Sequence, residues 1–481
     1  MNLGDSPLGA GEDPALVDLA LNQTMTYNDI RRATDSSVAG LAIDRGTCVG
    51  LLAANSAAYV AALFAIMRKG GVAVPINTKL AAETIAYICA DASLRQVFCD
   101  AENAGRLPAS IDRLDLRLPQ SVALAVGVQT VAPNAAETGM VLYTSGSTGT
   151  PKGVILSHAS QWAMVERMKN AFTGATGIVA APLYHMNGLL FLMGLLAGGG
   201  TVVLMPRFNA RVYLQAIHDH HVSVLTGVPT MLSLMLKEAD LLDGLDFSSV
   251  RAIQVGSAPL SETLIEQVSA RFPNARISNG YGTTEAGAGM FGPHPDGRSV
   301  PSLALGYPQP HVQVRLTGGL APGEGVLEVK TPAAMTGYLN LPGKTADKID
   351  TDGWINTGDI MRRDEQGFYY FVGRDDDMFN CGGENIYPGE IERVLEADSR
   401  VAESCVIPVP DDVKGHKPVA FIVVAMGHSI SEEAVKQIAL QALPAYMHPR
   451  RVYFLETMPL AGTNKIDRRA LGERVAAATD G

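Results

Sequence analysis

Short apolar runs alternate with longer helical patterns through most of the first 300 residues. The run CVGLLA precedes AAYVAALFAIMRKG, and TVVLMP precedes ARVYLQAIHDHH. Because consecutive parallel strands need a crossover that is usually helical, this alternation predicts an α/β fold with parallel doubly wound sheets. Around 310–373 the pattern changes to closely spaced short strands and turns, which predicts a small antiparallel unit within the same large domain.

The last hundred or so residues carry a pattern of their own. After the charged segment RDDD come a helix (PGEIERVLEA), two strands (ESCVIPVP and PVAFIVVA) and a second helix (SEEAVKQIALQA). With 481 residues the chain is also too long for one hydrophobic core. We therefore predict a large N-terminal domain at 1–373 and a small α+β C-terminal domain at 374–481.

Charge and composition exclude several classes of protein. A formal net charge of −11 without any basic run argues against nucleic-acid binding. The five cysteines form no CxxC pair, so neither a zinc site nor a disulfide framework is expected, and a reducing cytosol fits. The N-terminal residues predict no secretory signal. Two uncharged stretches, 47–67 and 188–206, each divide into a buried helix and a buried strand, so we predict no membrane span.

The most distinctive motif is YTSGSTGTPKG at 143–153, which follows the apolar run GMVL. Small glycine and hydroxyl residues let backbone amides approach phosphate oxygens, and Lys152 adds a cation, so the motif favours polyphosphate binding. It lacks the GxxxxGK[ST] spacing of a P-loop. Taken alone, a Ser/Thr/Gly-rich stretch of this length is more often a surface loop.

Further motifs follow in a fixed order: PLYH at 182–185, GVPT at 227–230, GSAPL at 256–260, GYGTTE at 280–285, DGW and TGD at 352–359, GRDDD at 373–377, GGENIYP at 382–388 and NK at 464–465. Together with the 143–153 motif, they resemble the adenylate-forming superfamily, in particular its acyl- and aryl-CoA synthetases such as 4-chlorobenzoate and 4-coumarate ligases. The resemblance implies an N-terminal adenylation domain and a mobile C-terminal domain that rotates near Asp376.

The resemblance also implies a role for each motif. The catalytic residues would be Lys465, His185, Thr284 and Glu285, with Glu285 also holding Mg²⁺. Residues that bind ATP or coenzyme A would be Thr144, Ser145, Gly146, Ser147, Thr148, Gly149, Lys152, Gly256, Ser257, Ala258, Asn279, Gly280, Tyr281, Gly282, Thr283, Asp359, Arg374, Gly382, Gly383 and Glu384. Taken singly, Glu285 would more often be a carboxylate at a helix start, and Asp359 a turn residue. Lys465 alone would more often be a surface charge, and His185 a core histidine.

The function that follows is activation of a carboxylic acid as acyl-AMP and its transfer to coenzyme A. Small residues (Thr226, Gly256, Gly280, Gly287 and Ala288) favour an aryl, arylpropenoyl or medium-chain acid over acetate. Gly280, where an arginine would suit a dicarboxylate, argues against malonate. Three alternatives remain open: an acyl-AMP ligase that loads a carrier protein, a luciferase-like oxygenase and a non-catalytic nucleotide-binding relative. A homodimer is compatible with all of them.

Overall fold

A computed structural model describes residues 2–5, 9, 11–118, 130–145, 150–256, 258, 260–319, 322–460 and 466–479. The strands are β1 Pro14–Asp18, β2 Gln23–Thr26, β3 Cys48–Leu52, β4 Val72–Pro75, β5 Gln96–Cys99, β6 Asp112–Asp115, β7 Thr138–Ser145, β8 Pro151–Ser157, β9 Thr176–Val179, β10 Thr201–Leu204, β11 Val224–Gly227, β12 Ala252–Gly256, β13 Arg276–Gly280, β14 Gly282–Thr283, β15 Gly287–Ala288, β16 Phe291–Gly292, β17 Tyr307–Pro308, β18 Gln313–Thr317, β19 Glu324–Lys330, β20 Gly337–Tyr338, β21 Ile355–Arg363, β22 Tyr369–Arg374, β23 Phe379–Cys381, β24 Glu384–Ile386, β25 Val401–Asp411, β26 Gly415–Val424 and β27 Arg451–Leu455.

The helices are α1 Tyr27–Gly40, α2 Ala57–Arg68, α3 Ala82–Asp91, α4 His158–Ala171, α5 Met186–Ala197, α6 Ala210–Asp219, α7 Pro229–Leu236, α8 Ala239–Gly244, α9 Glu262–Arg271, α10 Pro342–Lys348, α11 Pro388–Glu396, α12 Glu432–Ala442 and α13 Arg468–Thr479. Several begin at a side-chain cap. Thr26 and Asp29 form a capping box at α1, and the Ser56 hydroxyl accepts from the Tyr59 amide at α2. These caps satisfy amides that have no partner inside the helix.

Two seven-stranded sheets form the N-terminal domain, as the strand–helix alternation predicts. Their orders are β13-β12-β11-β9-β10-β1-β2 and β20-β8-β7-β4-β3-β5-β6. Most neighbouring strands are parallel, whereas the pairs β1–β2, β7–β8 and β8–β20 are antiparallel. The α/β fold class predicted from the sequence is confirmed.

One large hydrophobic cluster joins the two sheets and contains residues of both, together with α2 and α5. All 12 residues of α2 are buried, and all except Arg68 at its end are apolar, so its sequence is that of a core helix. The two uncharged stretches therefore divide as predicted, into β3 plus α2 and α5 plus β10. Among the described residues, no helix has the length and hydrophobicity that crossing a bilayer would require.

The antiparallel unit is a four-stranded sheet in the order β18-β19-β21-β22. It ends at Arg374, and the next strand, β23, already belongs to a different sheet with the order β24-β23-β26-β25 and β27 on β26. Helices α11, α12 and α13 pack on this last sheet. The C-terminal part thus has its own core and touches the large domain where the Thr263 hydroxyl donates to the Glu396 carbonyl at 3.3 Å.

Candidate nucleotide and acyl site

The YTSGSTGTPKG motif lies on the antiparallel hairpin of β7 and β8. Thr144 pairs with Lys152, and Ser145 pairs with Pro151. The connecting residues Gly146, Ser147, Thr148 and Gly149 lie outside the described part of the chain. The hairpin brings the Lys152 ammonium to one edge of the sheet, 5.0 Å from the centre of the Tyr338 ring. Such a distance is typical of a cation–π contact.

Tyr338 also connects Lys152 to Glu285. Its hydroxyl donates to the Glu285 carboxylate at 2.9 Å, and β20, which carries it, pairs with β8. The backbone at Glu285 is held as well, because its carbonyl accepts from the Met335 amide at 2.7 Å. Burial and the neighbouring carboxylate raise the pKa of Tyr338, so it remains a donor. Thr284 precedes Glu285 in the turn after β14.

A second cluster centres on Asp359, whose side chain is 6% exposed. One carboxylate oxygen accepts from the Tyr281 hydroxyl, and the other accepts from the Arg374 guanidinium at 3.1 Å. Arg374 also donates to Asp376 at 2.7 Å. Burial raises the pKa of Asp359, while Arg374 and Tyr281 act in the opposite direction. Residues that the sequence separates widely therefore meet in one ion-pair cluster.

The TGD segment, which lies within β21, places Asp359 there. Gly358 has a φ of +76°, a value that favours glycine. The Thr357 hydroxyl accepts from the Asp359 amide at 3.1 Å and donates to the Leu327 carbonyl at 2.7 Å. This segment of β21 is thereby fixed to the adjacent strand β19. The carboxylate of Asp359 is therefore positioned by the backbone as well as by its own hydrogen bonds.

Lys348 joins this cluster, although no sequence motif marks it. It is the last residue of α10, and its ammonium donates to the Thr357 carbonyl at 3.0 Å. Burial lowers the pKa of Lys348; Glu285 and Asp359 raise it, and Arg374 and Lys152 lower it further. The sequence analysis missed this residue. The only available signal was its place shortly before the TGD segment.

The remaining predicted residues of the large domain surround these clusters. Gly256 pairs with Gly280, and Gly282 and Thr283 form β14 opposite β15. The Asn279 side-chain amide donates to the Leu303 carbonyl at 3.1 Å. Ala258 lies just beyond the end of β12, whereas Ser257 lies outside the described residues.

Three glycines that we expected to leave room for the acid are already packed. A Cβ at Gly256 would lie 2.8 Å from the Gly280 carbonyl oxygen, and one at Gly287 would lie 2.5 Å from the Ala333 Cβ. A Cβ at Gly280 would lie 3.2 Å from the Gln254 amide nitrogen. A side chain at Gly256 or Gly287 would therefore clash, whereas one at Gly280 would meet only the end of the Gln254 side chain. The expectation that these positions leave room for the acid stays a prediction.

The polar side chains near these glycines belong to other residues. Thr226 at the end of β11 is buried, and its hydroxyl donates to the Asn187 side-chain oxygen at 3.2 Å. Thr226 and Gln254 are register partners on neighbouring parallel strands, so both side chains lie on the same face. His185 precedes α5 as its N-cap residue and contacts the Tyr184 ring, with ring centroids 4.6 Å apart.

Tyr184 also lines a cavity of about 280 Å³ that follows the carboxyl ends of β3, β4, β5, β9 and β10. Lys79, Arg106 and Arg207 contribute cations to its wall. Of the predicted site residues that the structure describes, none lines this cavity. The nucleotide motifs thus converge elsewhere, around Lys152, Glu285 and Asp359.

The C-terminal motifs form a tight hairpin between β23 and β24. Gly382 and Gly383 have φ values of +66° and +97°, and Glu384 pairs with Cys381. The Gly382 amide donates to the Lys414 carbonyl at 2.9 Å. Lys465 lies outside the described residues. The chain on either side of it is fixed, since Leu460 bridges to Ile466 and the Asp467 amide donates to the Pro459 carbonyl.

Glu285 has no neighbouring cluster of metal ligands. Among the described residues, no group of three or more His, Cys, Asp or Glu side chains could hold a metal ion. A single carboxylate still fits Mg²⁺, which is usually held by one or two carboxylates and by substrate phosphates. Tyr338 occupies one oxygen of Glu285, and an ion would use the other lone pairs.

Comparison with known proteins agrees with these motifs. The family model for the AMP-binding enzyme matches residues 6–339, and that for the AMP-binding enzyme C-terminal domain matches residues 390–465. A fatty acid–[acyl-carrier-protein] ligase, ScoC of Streptomyces coeruleorubidus, is 33% identical, with 95% of this chain and 92% of that protein covered. The long-chain-fatty-acid–CoA ligase FadD13 of Mycobacterium tuberculosis is 31% identical over 96% and 95%.

Among solved structures, ATP-bound MatB from Rhodopseudomonas palustris matches with a TM-score of 0.86 and 28% identity, covering 98% of this chain and 99% of MatB. The first family model alone spans well over half of the sequence. The chain therefore belongs to the AMP-binding enzyme family and is, within it, an AMP-forming acid–thiol ligase.

Proposed function

We propose that this chain is a carboxylate–CoA ligase that works in two half-reactions at one cleft. In the first, a carboxylate oxygen forms a bond to the α-phosphorus of ATP while the bond to the bridging oxygen breaks, and pyrophosphate leaves with the electron pair. In the second, the thiol sulfur of coenzyme A displaces AMP from the acyl carbon. The convergence of the Lys152–Tyr338–Glu285 and Tyr281–Asp359–Arg374 clusters carries the proposal.

The two clusters suit opposite parts of one nucleotide. Lys152, at the end of the hydroxyl-rich hairpin, would bind the outgoing phosphates. Asp359 would accept hydrogen bonds from the two ribose hydroxyls, exchanging its contacts with Tyr281 and Arg374 for them. Tyr281 would pack on the adenine, and Gly256, Ser257 and Ala258 would lie on the other side of the base. Thr284 would contact the α-phosphate.

Magnesium is part of the proposal, with Glu285 as its protein ligand. When bound, the ion would neutralise charge on the phosphates of the nucleotide. Tyr338 holds the Glu285 carboxylate through its hydrogen bond. It therefore orients the carboxylate before any ion binds.

Movement of the C-terminal domain would divide the two half-reactions. We place the domain boundary at Arg374, where β22 ends, and the hinge at Asp376. Lys465 would donate to the carboxylate and the α-phosphate in the first half-reaction. After rotation, the hairpin of Gly382, Gly383 and Glu384 would line the path of the pantetheine arm. His185 would lie beside the acyl carbonyl.

The proposed acid is an aryl, arylpropenoyl or medium-chain carboxylic acid. Some relatives are named for 4-coumarate and one for long-chain fatty acids, which supports an arylpropenoyl or an aliphatic acid. A side chain at Gly256 or Gly287 would clash with its neighbours, so we propose that the nearby side chains of Asn187, Thr226 and Gln254 set the specificity. A carrier-protein thiol is the second candidate acceptor, because one relative is named as a carrier-protein ligase.

We further propose that the chain acts in the reducing cytosol. The described structure holds Cys48, Cys89, Cys99, Cys381 and Cys405 as free thiols. A homodimer is also proposed, and size-exclusion chromatography with light scattering tests it.

Pyrophosphate release and thioester formation, measured over a panel of carboxylic acids with and without CoA, test the proposed function. We expect release that depends on the acid and a CoA thioester that appears only when CoA is present. Lys465→Ala should still bind ATP but lose about a hundredfold or more in acyl-AMP formation, as expected for loss of a transition-state cation. Near-normal release by this variant would remove Lys465 from the mechanism.

The panel also identifies the acceptor and the acid. Thioester formation on a phosphopantetheinylated carrier protein, with none on CoA, would replace the main proposal by the second candidate. Best turnover with acetate or malonate would overturn the proposed acid class. Absence of pyrophosphate release with every acid would overturn the function itself.

A further inference from the structure

Lys348 is a cation of the nucleotide cleft that the family motifs do not include. It ends α10, and its ammonium has one recorded acceptor within the described chain, the Thr357 carbonyl at 3.0 Å. An ammonium carries three donors, so two remain for other partners. No carboxylate of the described chain lies within ion-pair distance of it, unlike Arg374, which contacts both Asp359 and Asp376.

The position of Lys348 relates it to both clusters. A Cβ placed on Gly358 would lie 4.0 Å from the Lys348 ammonium and 3.4 Å from the Arg374 guanidinium. The two cations therefore lie near the same residue of β21. Lys348 also interacts electrostatically with Asp359 and Arg374, at the proposed ribose end, and with Glu285 and Lys152, at the proposed phosphate end. The part of a nucleotide that joins these two ends is the α-phosphate.

We propose that Lys348 binds the α-phosphate of the nucleotide, and that it does so from the large domain in both half-reactions. The inference rests on the proposed function for the identity of the ligand. Lys348 donates hydrogen bonds to a non-bridging phosphate oxygen and transfers no proton. It neutralises charge while the carboxylate attacks, and afterwards it holds the phosphate of acyl-AMP and then of leaving AMP.

This role differs from that of Lys465, which would be carried by the moving domain. When that domain rotates, Lys465 leaves the reacting phosphate, whereas Lys348 stays because α10 and β21 belong to the large domain. Loss of Lys465 should therefore impair mainly the first half-reaction. Loss of Lys348 should impair both, since the same phosphate is present in each.

The test compares AMP with adenosine as probes, because the two differ only in the phosphate. Lys348→Gln keeps a donor for the Thr357 carbonyl and removes the charge. We expect its AMP affinity to fall at least about tenfold, as for loss of a charge-assisted hydrogen bond, with adenosine affinity within about twofold of wild type. Lys344→Gln, on the exposed side of the same helix, is the matched control and should change neither.

Kinetics give a second readout. Thioester formation from supplied acyl-AMP and CoA should slow in Lys348→Gln and should be nearly normal in Lys465→Ala. Equal AMP affinity in Lys348→Gln and wild type would overturn the proposal, and so would parallel losses of AMP and adenosine binding, which indicate a structural role. These binding measurements can be interpreted even if no acid supports pyrophosphate release, so the two proposals fail separately.

A crystal structure of the wild-type chain with AMP does not depend on any variant folding. We expect the Lys348 ammonium within about 3.2 Å of a phosphate oxygen, a normal hydrogen-bond distance. A phosphate held only by other groups, with Lys348 still on the Thr357 carbonyl alone, would contradict the assignment.

Discussion

Two arginine–carboxylate pairs of this protein are buried to a similar degree but differ in their hydrogen-bond partners. In the large domain, Arg374 contacts Asp359 through one hydrogen bond and shares its guanidinium with Asp376. In the C-terminal domain, Arg468 contacts both oxygens of Glu392 at 2.8 and 3.0 Å and also donates to the Val406 carbonyl. Glu392 in turn accepts from the Val406 amide at 2.7 Å.

The second pair is closed, because both Glu392 oxygens and the Arg468 guanidinium have partners within the C-terminal domain, between α11, β25 and α13. The first pair is open, because each Asp359 oxygen has a different partner, Tyr281 or Arg374, and Arg374 divides its donors between two carboxylates. A closed pair contributes to the fold, and an open pair can exchange partners. The comparison therefore separates charges that hold the C-terminal domain together from charges that we propose to bind nucleotide.

Glu392→Ala should produce the largest change in stability. It leaves Arg468 without its carboxylate partner inside the domain, so we expect a loss of about 2–3 kcal/mol in the free energy of unfolding, less than for a fully buried pair because Arg468 is partly exposed. Denaturant unfolding measures it. Glu432→Ala, which removes the exposed pair with Lys436, is the control and should change stability by less than about 0.5 kcal/mol. Equal effects would contradict the assignment of a closed pair.

The pH dependence of stability should reveal a second closed group, Glu396, whose carboxylate accepts from the amide and hydroxyl of Ser404. Burial raises the pKa of Glu396 from 4.5 to about 8. The folded chain then holds this proton more tightly than the unfolded chain does. Its contribution is complete below about pH 4.5 and is lost as the pH rises through about 8.

Between these limits, the difference in unfolding free energy between wild type and Glu396→Gln should fall with rising pH. The slope should not exceed about 1.4 kcal/mol per pH unit, the value for one proton. Chemical unfolding of both proteins between pH 5 and pH 8, an interval chosen from the two pKa limits above, measures this slope. A difference that is constant across this range would show that Glu396 ionises normally.

Tyr338→Phe should have the smallest effect and should act at the open cleft. It removes the donor to Glu285, so we expect a stability change of about 1 kcal/mol and a rise of several-fold in the Mg²⁺ concentration that half-saturates pyrophosphate release. Tyr370→Phe is the matched control, because its hydroxyl contacts Asp364 outside the cleft. An identical Mg²⁺ requirement in both variants would remove Tyr338 from the site.

The sequence predicted the layers of the large domain well because apolar periodicity is set by local packing. The runs that became β3, α2, α5 and β10 are apolar for that reason. Short motifs likewise marked Lys152 and Asp359 as candidate site residues, although they did not predict the hairpin of β7 and β8. The position of Lys465 stays a prediction, since it lies outside the described residues.

Contacts between residues that are far apart in the sequence could not be predicted in this way. Lys348 and Tyr338 belong to no motif, and only the pairing of β20 with β8 and the end of α10 bring them to the cleft. The glycines show the same limit. Gly280 looks like open space in the sequence, but the Gln254 side chain from the neighbouring strand lies beside it.

Titration of AMP into wild type and Asp359→Asn tests most directly whether the open pair is the nucleotide site. We predict that the variant binds AMP at least about tenfold more weakly, because an amide replaces the charged acceptor of the ribose hydroxyls, while it unfolds at nearly the same temperature. AMP affinity within about twofold of wild type, in a folded variant, would contradict the account.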